Sequence, residues 1–336
     1  MMGSVVETVA HTRAPFQPLS KGAHAPGTLL RLVTNPLAEF TRQRNLGPDW
    51  SFAFLSWAEQ RCPRWIFRPA LMFGTWVALA GCPAERRQSR AYLSVVLGRP
   101  PRLHEQWQHF FAFAEFFLLL VRTSRGVPVQ CSLEKEHAPG FEALLRSGQP
   151  ALFGSFHFGS SDLLGYALGG QGRRVSILRR KLDNSADTRL LGERFGEHVS
   201  FLWVNDPANV LFQLKSALDA GESVALKCDR FEFSSKVEPF QFLGARRMFP
   251  FTIYHLSVLF NRPVVFCVAI SREDSPELRV FTSPVFTPDS NVDRAANLAA
   301  GRAHFQSVIT QLEALVRRYP MLWFNFVPLN PEADSN

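Results

Sequence analysis

The sequence predicts an α/β fold in which helices cover a mixed, largely parallel central sheet, with a helical region on its N-terminal side. Three observations support this prediction. The chain has 336 residues, of which 46% are hydrophobic, enough for one large core. After residue 147, short apolar runs alternate with amphipathic segments, as strands and helices alternate in such folds. Before residue 147, the longer apolar stretches mostly follow helical spacing.

We expect three parts in the chain. Residues 1–48 contain prolines and glycines without a sustained period, which predicts a poorly ordered leader. Residues 49–146 are predicted to form a helical, basic region that associates with a membrane, and residues 147–330 an α/β core. Residues 1–14 lack the basic start, apolar run and cleavage site of a secretory signal, so we expect a protein on the cytosolic side.

The positive charge of the chain lies in its N-terminal part. The formal charge is +8, and residues up to Arg146 hold 17 Lys and Arg against 10 Asp and Glu, a net charge of +7. Within residues 61–102, eight arginines accompany a single acid, Glu85. Such a patch favours an anionic partner, for example an anionic membrane surface.

Two apolar stretches lie in this basic region. Residues 69–84 are uncharged, and residues 110–121 are interrupted only by Glu115. Neither stretch reaches the roughly 20 residues that a membrane-spanning helix needs. They are interpreted either as core helices or as an attachment to the membrane surface, and the arginines and tryptophans that flank the first stretch suit surface attachment.

Apolar periodicity and capping signals predict the helices. Apolar residues at three-and-four spacing indicate helices in the segment 50–98 and at 104–121. Asn205-Asp206-Pro207 is a capped helix start with proline in the first turn, and Ala220-Gly221 ends that helix. The remaining helices are predicted at 141–147, 162–168, 186–195, 251–260 and 294–319.

Short apolar runs bounded by turn residues predict the strands. They are rich in β-branched and aromatic residues, and most are four to eight residues long, as buried strands are. Helices of moderate length separate most of them, which indicates parallel neighbours. The predicted strands are 127–133, 151–157, 173–178, 199–204, 223–228 and 263–270.

His157 and Asp162 are the leading candidates for chemistry. Five residues along one helix turn by about 140°, so the two side chains converge only if a turn separates them. Gly159 supplies that turn after the strand 151–157, which would place imidazole and carboxylate side by side at the sheet edge. A histidine held in this way can take a proton from a hydroxyl group at neutral pH. The alternative is a histidine that is satisfied structurally at a strand end.

Three serines near His157 and several charged residues are further candidates for the site. Ser155, Ser160 and Ser161 lie close to His157 but lack the Gly-x-Ser-x-Gly elbow, so a serine nucleophile is disfavoured. Further charged groups that could share one substrate site occur at strand ends and in a turn rich in apolar residues, and the arginines among them suit an anionic substrate. They are Arg179, Arg180, Asp229, Arg230, Arg246 and Arg247. The last two suit a groove for an acyl chain with a charged head.

The cysteine pattern gives no metal or cofactor site. The five cysteines are odd in number, widely scattered and unpaired in spacing, which predicts a reducing compartment. We therefore expect no metal and no cofactor.

Several blocks together resemble a known superfamily. His157-Phe-Gly-Ser-Ser-Asp162 resembles the His-x4-Asp motif of the lysophospholipid acyltransferase superfamily. The blocks that follow in order are similar to the branch related to the late acyltransferases of bacterial lipid A biosynthesis. They comprise residues 221–230, 242–250 and 320–326, with 90–93 upstream. The chain departs from the branch at Phe251-Thr252, where glycine is usual, and at Met248.

The resemblance implies a fold, an activity and residue roles. It implies a core like that of glycerolipid acyltransferases, with its helical region on the membrane, and transfer of an acyl group from a thioester to a hydroxyl. It implies His157 as general base and Asp162 as its orienting carboxylate. Asp229 and Arg230 correspond to a strand-end block of the branch, and Arg179 or Arg180 to an anion-binding position.

The resulting hypothesis is an O-acyltransferase that acts on a lipid or lipid-like acceptor. Acyl carrier protein is the first candidate donor and coenzyme A the second, and no nucleic acid is expected. The protein is predicted to be peripheral on the cytoplasmic face of the bacterial inner membrane. Two alternatives remain: a serine esterase that uses Ser155 or Ser161, and a non-catalytic protein that binds membranes or acyl chains.

Overall fold

The computed structural model describes residues 49–179, 195–204, 207–231, 236–271, 277–324 and 326–333. The predicted leader, nearly all of the predicted helix 186–195 and Arg180 lie outside the described residues. The N-terminal region is helical, as its periodicity predicts. Its helices are α1 (Asp49–Arg61), α2 (Arg64–Gly81), α3 (Pro83–Leu97) and α4 (Leu103–Ser124).

Strands and helices alternate through most of the remaining chain. The first half comprises β1 (Gln130–Leu133), α5 (Ala138–Arg146), β2 (Leu152–Ser155), a 3₁₀ turn (Ser161–Leu163), α6 (Leu164–Gly170), β3 (Val175–Arg179) and β4 (Val199–Trp203). The second half comprises α7 (Pro207–Asp219), β5 (Ser223–Lys227), β6 (Val237–Phe242), β7 (Ala245–Pro250), α8 (Thr252–Phe260), β8 (Val264–Ser271), β9 (Glu277–Thr282), α9 (Arg294–Arg318) and a 3₁₀ turn (Pro320–Leu322).

A seven-stranded sheet in the order β1-β9-β8-β2-β5-β3-β4 forms the centre of the described chain. The strands β8, β2, β5, β3 and β4 are mutually parallel, whereas β9 runs antiparallel to β8 and parallel to β1. The prediction of a mixed, largely parallel sheet is therefore confirmed. The strand β1 precedes residue 147, so the sheet also includes part of the predicted N-terminal helical region. The domain boundary between residues 146 and 147 stays a prediction.

The strands β6, β7 and β9 are not among those predicted from the sequence. The strands β6 and β7 form an antiparallel hairpin that is separate from the main sheet. Leu243 and Gly244 connect them with φ angles of 52° and 80°, and two positive φ angles in succession match a tight hairpin turn. The segment 242–250, whose turn and arginines suit a groove for an acyl chain, is thus regular β-structure, in which Phe242 and Phe249 are buried.

Local signals set the ends of the helices. Pro83 lies in the first turn of α3, and Gly98 follows its end with a left-handed φ of 66°. The start of α4 is capped by Glu105, whose Oε2 accepts from the backbone N–H of Arg102 at 2.6 Å. The start of α9 is capped by Asp293, which accepts from Ala296 at 2.7 Å.

Two hydrophobic clusters cover the two faces of the sheet. Because side chains alternate along a strand, Leu152 of β2 points into one cluster and Phe153 into the other. The first cluster includes α3 and α9 and surrounds Trp323, which is completely buried. The second packs α4, α5 and α6 against the sheet. His157 and Asp229 lie just past the carboxyl ends of the parallel strands β2 and β5.

The outer surface of α1 and α2 exposes several large apolar side chains. They are Phe54, Trp57, Trp65, Ile66, Met72, Phe73, Trp76 and Val77. In the part of the chain that the structure describes, no single helix has the length and hydropathy to cross a membrane. The pair α2 and α3, bent by 95°, meets these two criteria only when taken together.

Candidate active site

The turn after β2 is shaped by Gly159. Its φ is +56°, and a Cβ at this position would lie 2.2 Å from the carbonyl oxygen of Ala269 on β8. Ser160 donates its backbone N–H to the same oxygen at 2.7 Å. Only glycine fits both the left-handed backbone and this close approach. The predicted order of strand, tight turn and helix start is present, with a 3₁₀ turn preceding α6.

His157 is held by Asp229. The imidazole Nδ1 lies 2.8 Å from Oδ1 of Asp229, and the backbone N–H of His157 donates to Oδ2 at 2.7 Å. The indole Nε1 of Trp323 donates to the same Oδ2 at 3.1 Å. The Asp229 side chain is fully buried, so three donors satisfy a carboxylate that has no access to water.

The structure corrects the predicted partner of the imidazole. Asp162 lies 3.3 Å from Nζ of Lys227, and among the described contacts no hydrogen bond or ion pair joins it to His157. The reason is strand register. Ser155 pairs with Lys227 across the parallel strands β2 and β5, so His157 and Asp229, each two residues further, meet at the strand ends. The catalytic roles of His157 and Asp162 stay predictions.

The protonation states follow from burial and neighbouring charge. Burial lowers the pKa of His157, and Arg230 lowers it further, while Asp229 opposes part of this effect. Burial raises the pKa of Asp229, but the charges of His157 and Arg230 and the two hydrogen bonds from His157 together outweigh that effect and hold the pKa well below its usual range. At neutral pH an ionised Asp229 can only accept, so Nδ1 carries the proton and Nε2 keeps its lone pair.

Asp162 and Lys227 form a second charged pair. Burial raises the pKa of Asp162, but the charges of Lys227, His157 and Arg179 and the hydrogen bond with Lys227 together outweigh this effect and lower the pKa. The ammonium of Lys227 also donates to the carbonyl oxygen of Phe156 at 2.8 Å. The pair is therefore fixed against the backbone that leads into His157.

A cavity of about 370 Å³ opens beside His157. Its floor is one face of the sheet, where strand register sets two rows of side chains. Phe153, Ala225 and Ile177 form an apolar row. One step nearer the carboxyl ends, a polar row consists of Ser155, Lys227 and Arg179. The cavity therefore changes from apolar to charged as it approaches His157.

Helices and β1 complete the apolar part of the cavity. Phe113 and Phe116 of α4, Leu133 of β1 and Phe141 of α5 line it. The rings of Phe141 and Phe153 meet edge to face, with centroids 6.3 Å apart. Because Phe153 lies on the amino-terminal side of β2, this aromatic pair lies at the end away from His157.

The predicted anion-binding residues separate into two groups. Arg179 and Arg230 line the cavity, and Arg230 donates to the carbonyl oxygen of Phe324 at 3.3 Å. Arg246 and Arg247 lie on β7 and are not among the described residues that line it. Arg247 is buried, where it donates to the carbonyl oxygen of Asn330 at 3.0 Å and to Glu332 at 2.9 Å. The contacts of Arg247 hold the C-terminal segment. Substrate binding by these four arginines stays a prediction.

The serines differ in their availability. The hydroxyl of Ser161 donates to the carbonyl oxygen of Phe158 at 2.6 Å and accepts from the backbone N–H of Ala269 at 3.2 Å, so it braces the turn. Ser155 lines the cavity, but no described hydrogen bond joins it to His157. Within the described ranges, no group of three or more His, Cys, Asp or Glu side chains is placed to hold a metal ion.

Two residues of the site, Lys227 and Trp323, have no individual role predicted from the sequence, where Trp323 is only part of a motif. The backbone around Trp323 is bound to the turn after β2: Phe324 donates to the carbonyl oxygen of His157 at 2.8 Å, and Gly159 donates to that of Leu322 at 2.7 Å. One feature of the sequence does indicate Lys227. It lies two residues before Asp229, and side chains two apart along an extended chain point to the same side.

A protein-family model and a solved structure are similar to this chain. A family model described as "Bacterial lipid A biosynthesis acyltransferase" matches residues 39–327. No curated protein sequence matches at a significant level. The crystal structure of the 1-acyl-sn-glycerophosphate (LPA) acyltransferase PlsC from Thermotoga maritima matches 75% of this chain and 98% of that chain. Its sequence identity is 13% and its TM-score 0.36, a similarity too low to support any further conclusion.

Proposed function

This chain belongs to the bacterial lipid A biosynthesis acyltransferase family, and from that premise we propose that it moves a fatty acyl group from a thioester to a hydroxyl of a lipid acceptor. Acyltransferase activity and a role in lipid biosynthesis come with the family. The proposal concerns the donor, the acceptor and the residue that acts as base.

One observation carries the proposal. An imidazole whose Nδ1 is bound to a buried carboxylate lies at the charged end of an apolar cavity. The apolar part suits a fatty acyl chain, because such a chain is stabilised by leaving water. The thioester carbonyl would then lie near His157, between the apolar and polar rows of the sheet face.

The proposed reaction uses His157 as general base. Nε2 takes the proton of the acceptor hydroxyl, whose oxygen attacks the thioester carbonyl and forms a C–O bond. Asp229 stabilises the resulting imidazolium, and a cavity-lining cation such as Lys227 or Arg230 offsets the charge on the carbonyl oxygen. The C–S bond then breaks, and the departing sulfur takes the proton from Nε2. The nucleophile is the substrate's hydroxyl, so no serine of the chain is consumed.

We propose acyl carrier protein as the first donor and coenzyme A as the second. Carrier proteins are commonly acidic, and the α3 residues Arg86, Arg87 and Arg90 are exposed. Opposite charge on the two surfaces would steer their encounter. The peripheral location on the cytoplasmic face of the inner membrane is likewise a proposal, supported by the exposed aromatic side chains of α1 and α2 among arginines.

His157→Ala tests this function. Purified protein is given acyl carrier protein loaded with a radiolabelled acyl group, with a panel of hydroxyl-bearing lipids that includes a lipid A precursor and a lysophospholipid. General-base catalysis contributes roughly 10²–10⁴-fold, so the variant should lose about that factor in rate. His104→Ala, at an exposed position on α4, is the matched control.

The outcomes separate the alternatives. Turnover of the folded His157→Ala variant at the wild-type rate would exclude this histidine as the base. A non-catalytic binding protein would yield no labelled product with any acceptor, even as the wild type. Labelling of Ser155 by a fluorophosphonate probe would instead support an esterase.

A further inference from the structure

We infer that Asp229, rather than Asp162, positions the catalytic imidazole of His157, and that Asp162 serves a separate task by holding Lys227 at the cavity wall. The inference rests on the proposed function only in so far as it makes His157 the base. Both aspartates are positioning residues in this assignment.

The three donors on Asp229 support the first half. Oδ1 faces Nδ1 of His157 at 2.8 Å, and Oδ2 accepts from the His157 backbone at 2.7 Å and from Trp323 at 3.1 Å. Two of these bonds fix the carboxylate independently of the imidazole. The ring therefore meets an acceptor whose position is already set, which determines both its rotation and its tautomer.

Burial also distinguishes the two aspartates. The Asp229 side chain is 0% exposed, whereas the Asp162 side chain is 37% exposed. Water therefore competes for Asp162 and not for Asp229. A carboxylate that must hold one hydrogen bond in one geometry is better placed where no water can replace its partner.

The second half follows from Lys227. The Lys227 side chain is only 13% exposed and lines the cavity, where its ammonium lies 3.3 Å from Asp162 and 2.8 Å from the carbonyl oxygen of Phe156. A poorly solvated ammonium is stabilised by a nearby carboxylate. Asp162 is that anion, so its loss would act first on Lys227 and on the charge near the thioester carbonyl.

The tautomer of His157 can be measured directly. Full-length protein with ¹⁵N-labelled histidine, in detergent micelles at neutral pH, is examined by long-range ¹H–¹⁵N correlation NMR, with His157→Gln to assign the signal. The expected result is a neutral ring with its proton on Nδ1. A wild-type ring with its proton on Nε2 would overturn the inference, whatever the variants do.

Asp229→Asn and Asp162→Asn form a matched pair of isosteric changes. In Asp229→Asn the amide can donate towards Nδ1, so we expect the proton to move to Nε2 and kcat to fall roughly 10²–10⁴-fold. In Asp162→Asn we expect the proton to stay on Nδ1. A changed tautomer in Asp162→Asn beside an unchanged one in Asp229→Asn would reverse the assignment.

Two provisions keep the test decisive. If Asp229→Asn does not fold, Trp323→Phe removes one of the bonds that fix Asp229 and should broaden or shift the His157 signal, whereas no change would count against the inference. The NMR result does not depend on the acceptor or on turnover. Failure of the proposed function would appear in the acyl-transfer assay, and failure of this inference in the tautomer.

Discussion

The indole Nε1 of Trp323 donates to Oδ2 of Asp229 at 3.1 Å, across 94 residues of the chain. Both side chains are buried, and the Trp323 carbonyl oxygen in turn lies 3.0 Å from Nε2 of His109, a fully buried residue of α4. Burial lowers the pKa of His109 to about 4, so this ring is neutral and acts as a structural donor. The site thus rests on a segment that α4 holds in place.

Trp323→Phe tests this support. The variant keeps an aromatic ring beside Tyr92 and Phe242 but loses the donor to an ionised carboxylate. Hydrogen bonds to charged groups contribute about 1.5–3 kcal/mol, so we expect a loss of about 2 kcal/mol in the free energy of unfolding by urea denaturation, together with lower activity. The control is Trp107→Phe, because Nε1 of Trp107 makes only a 3.4 Å contact with the carbonyl oxygen of Met72. Equal losses in the two variants would show that the Asp229 bond has no special weight.

The pH dependence of kcat/KM should reveal the charge around His157. Burial and Arg230 lower the pKa of His157 from its usual 6.5, and the base must be neutral. The rate should therefore be maintained above this lowered pKa and fall as the pH drops through it. Arg230→Gln removes a positive charge, so the pKa should rise and the acidic limb should move to higher pH. Arg317→Gln, on exposed α9 surface, should leave the limb in place.

Gly159→Ala should destabilise the fold through the turn itself. A left-handed conformation costs a non-glycine residue roughly 1–2 kcal/mol. The new Cβ would also meet the Ala269 carbonyl oxygen at 2.2 Å. Gly98→Ala has a similar positive φ of 66° but no atom within 4 Å of its Cβ, so it carries only the first cost. We expect thermal or urea unfolding to show a further loss of about 1–3 kcal/mol for Gly159→Ala. Equal losses would contradict the close approach.

Phe141→Leu should change the acyl-length preference. Phe141 lines the cavity at the end away from His157, where it contacts the ring of Phe153. A smaller side chain lengthens the apolar part, so the ratio of kcat/KM for longer to shorter acyl donors should rise by roughly tenfold or more, within the roughly 10–200-fold range that one methylene group gives in a hydrophobic pocket. Leu144→Val alters a buried residue of the same helix that is not among the described lining residues, and should leave the ratio unchanged.

Replacing Trp65 and Phe73 by serine should weaken binding to anionic vesicles. These side chains are 76% and 71% exposed on α2. Each large apolar side chain that leaves water contributes about 1.5–3 kcal/mol, so the double variant should bind at least roughly tenfold more weakly in a flotation assay with phosphatidylglycerol vesicles. Phe212→Ser, 72% exposed on α7, is the control for lost surface hydrophobicity. Equal weakening by the control would argue against attachment through α2.

Among the strands that the sequence predicts, the central ones have the simplest burial. The strands β2, β5 and β8 lie in the middle of the sheet, and their nearly continuous apolar runs are visible without any knowledge of their neighbours. The strand β9 alternates charged and apolar residues, and in the β6–β7 hairpin Arg246 and Arg247 beside apolar residues suggest a binding groove rather than two strands. Whether the residue patterns of β6, β7 and β9 form strands depends on which of their faces the rest of the fold covers.

The site was predictable in part for a related reason. The order of residues along the chain is enough to predict His157, the turn after it and the charged strand ends. The partner of the imidazole could not, because Asp229 is 72 residues away and reaches His157 only through the register of β2 and β5. A spacing of five residues made Asp162 the obvious choice, but spacing describes local neighbours and not neighbours across a sheet.

The 3₁₀ turn Pro320–Leu322 and the residues after it have a consequence for folding. Tyr92 donates to the Pro320 carbonyl oxygen at 2.8 Å across 228 residues, and His109 reaches Trp323 across 214. Contacts between such distant parts of a chain form slowly, because a large loop must close first. We therefore expect His157 to gain its final orientation late in refolding, after the sheet has formed. Activity should return more slowly than far-ultraviolet circular dichroism.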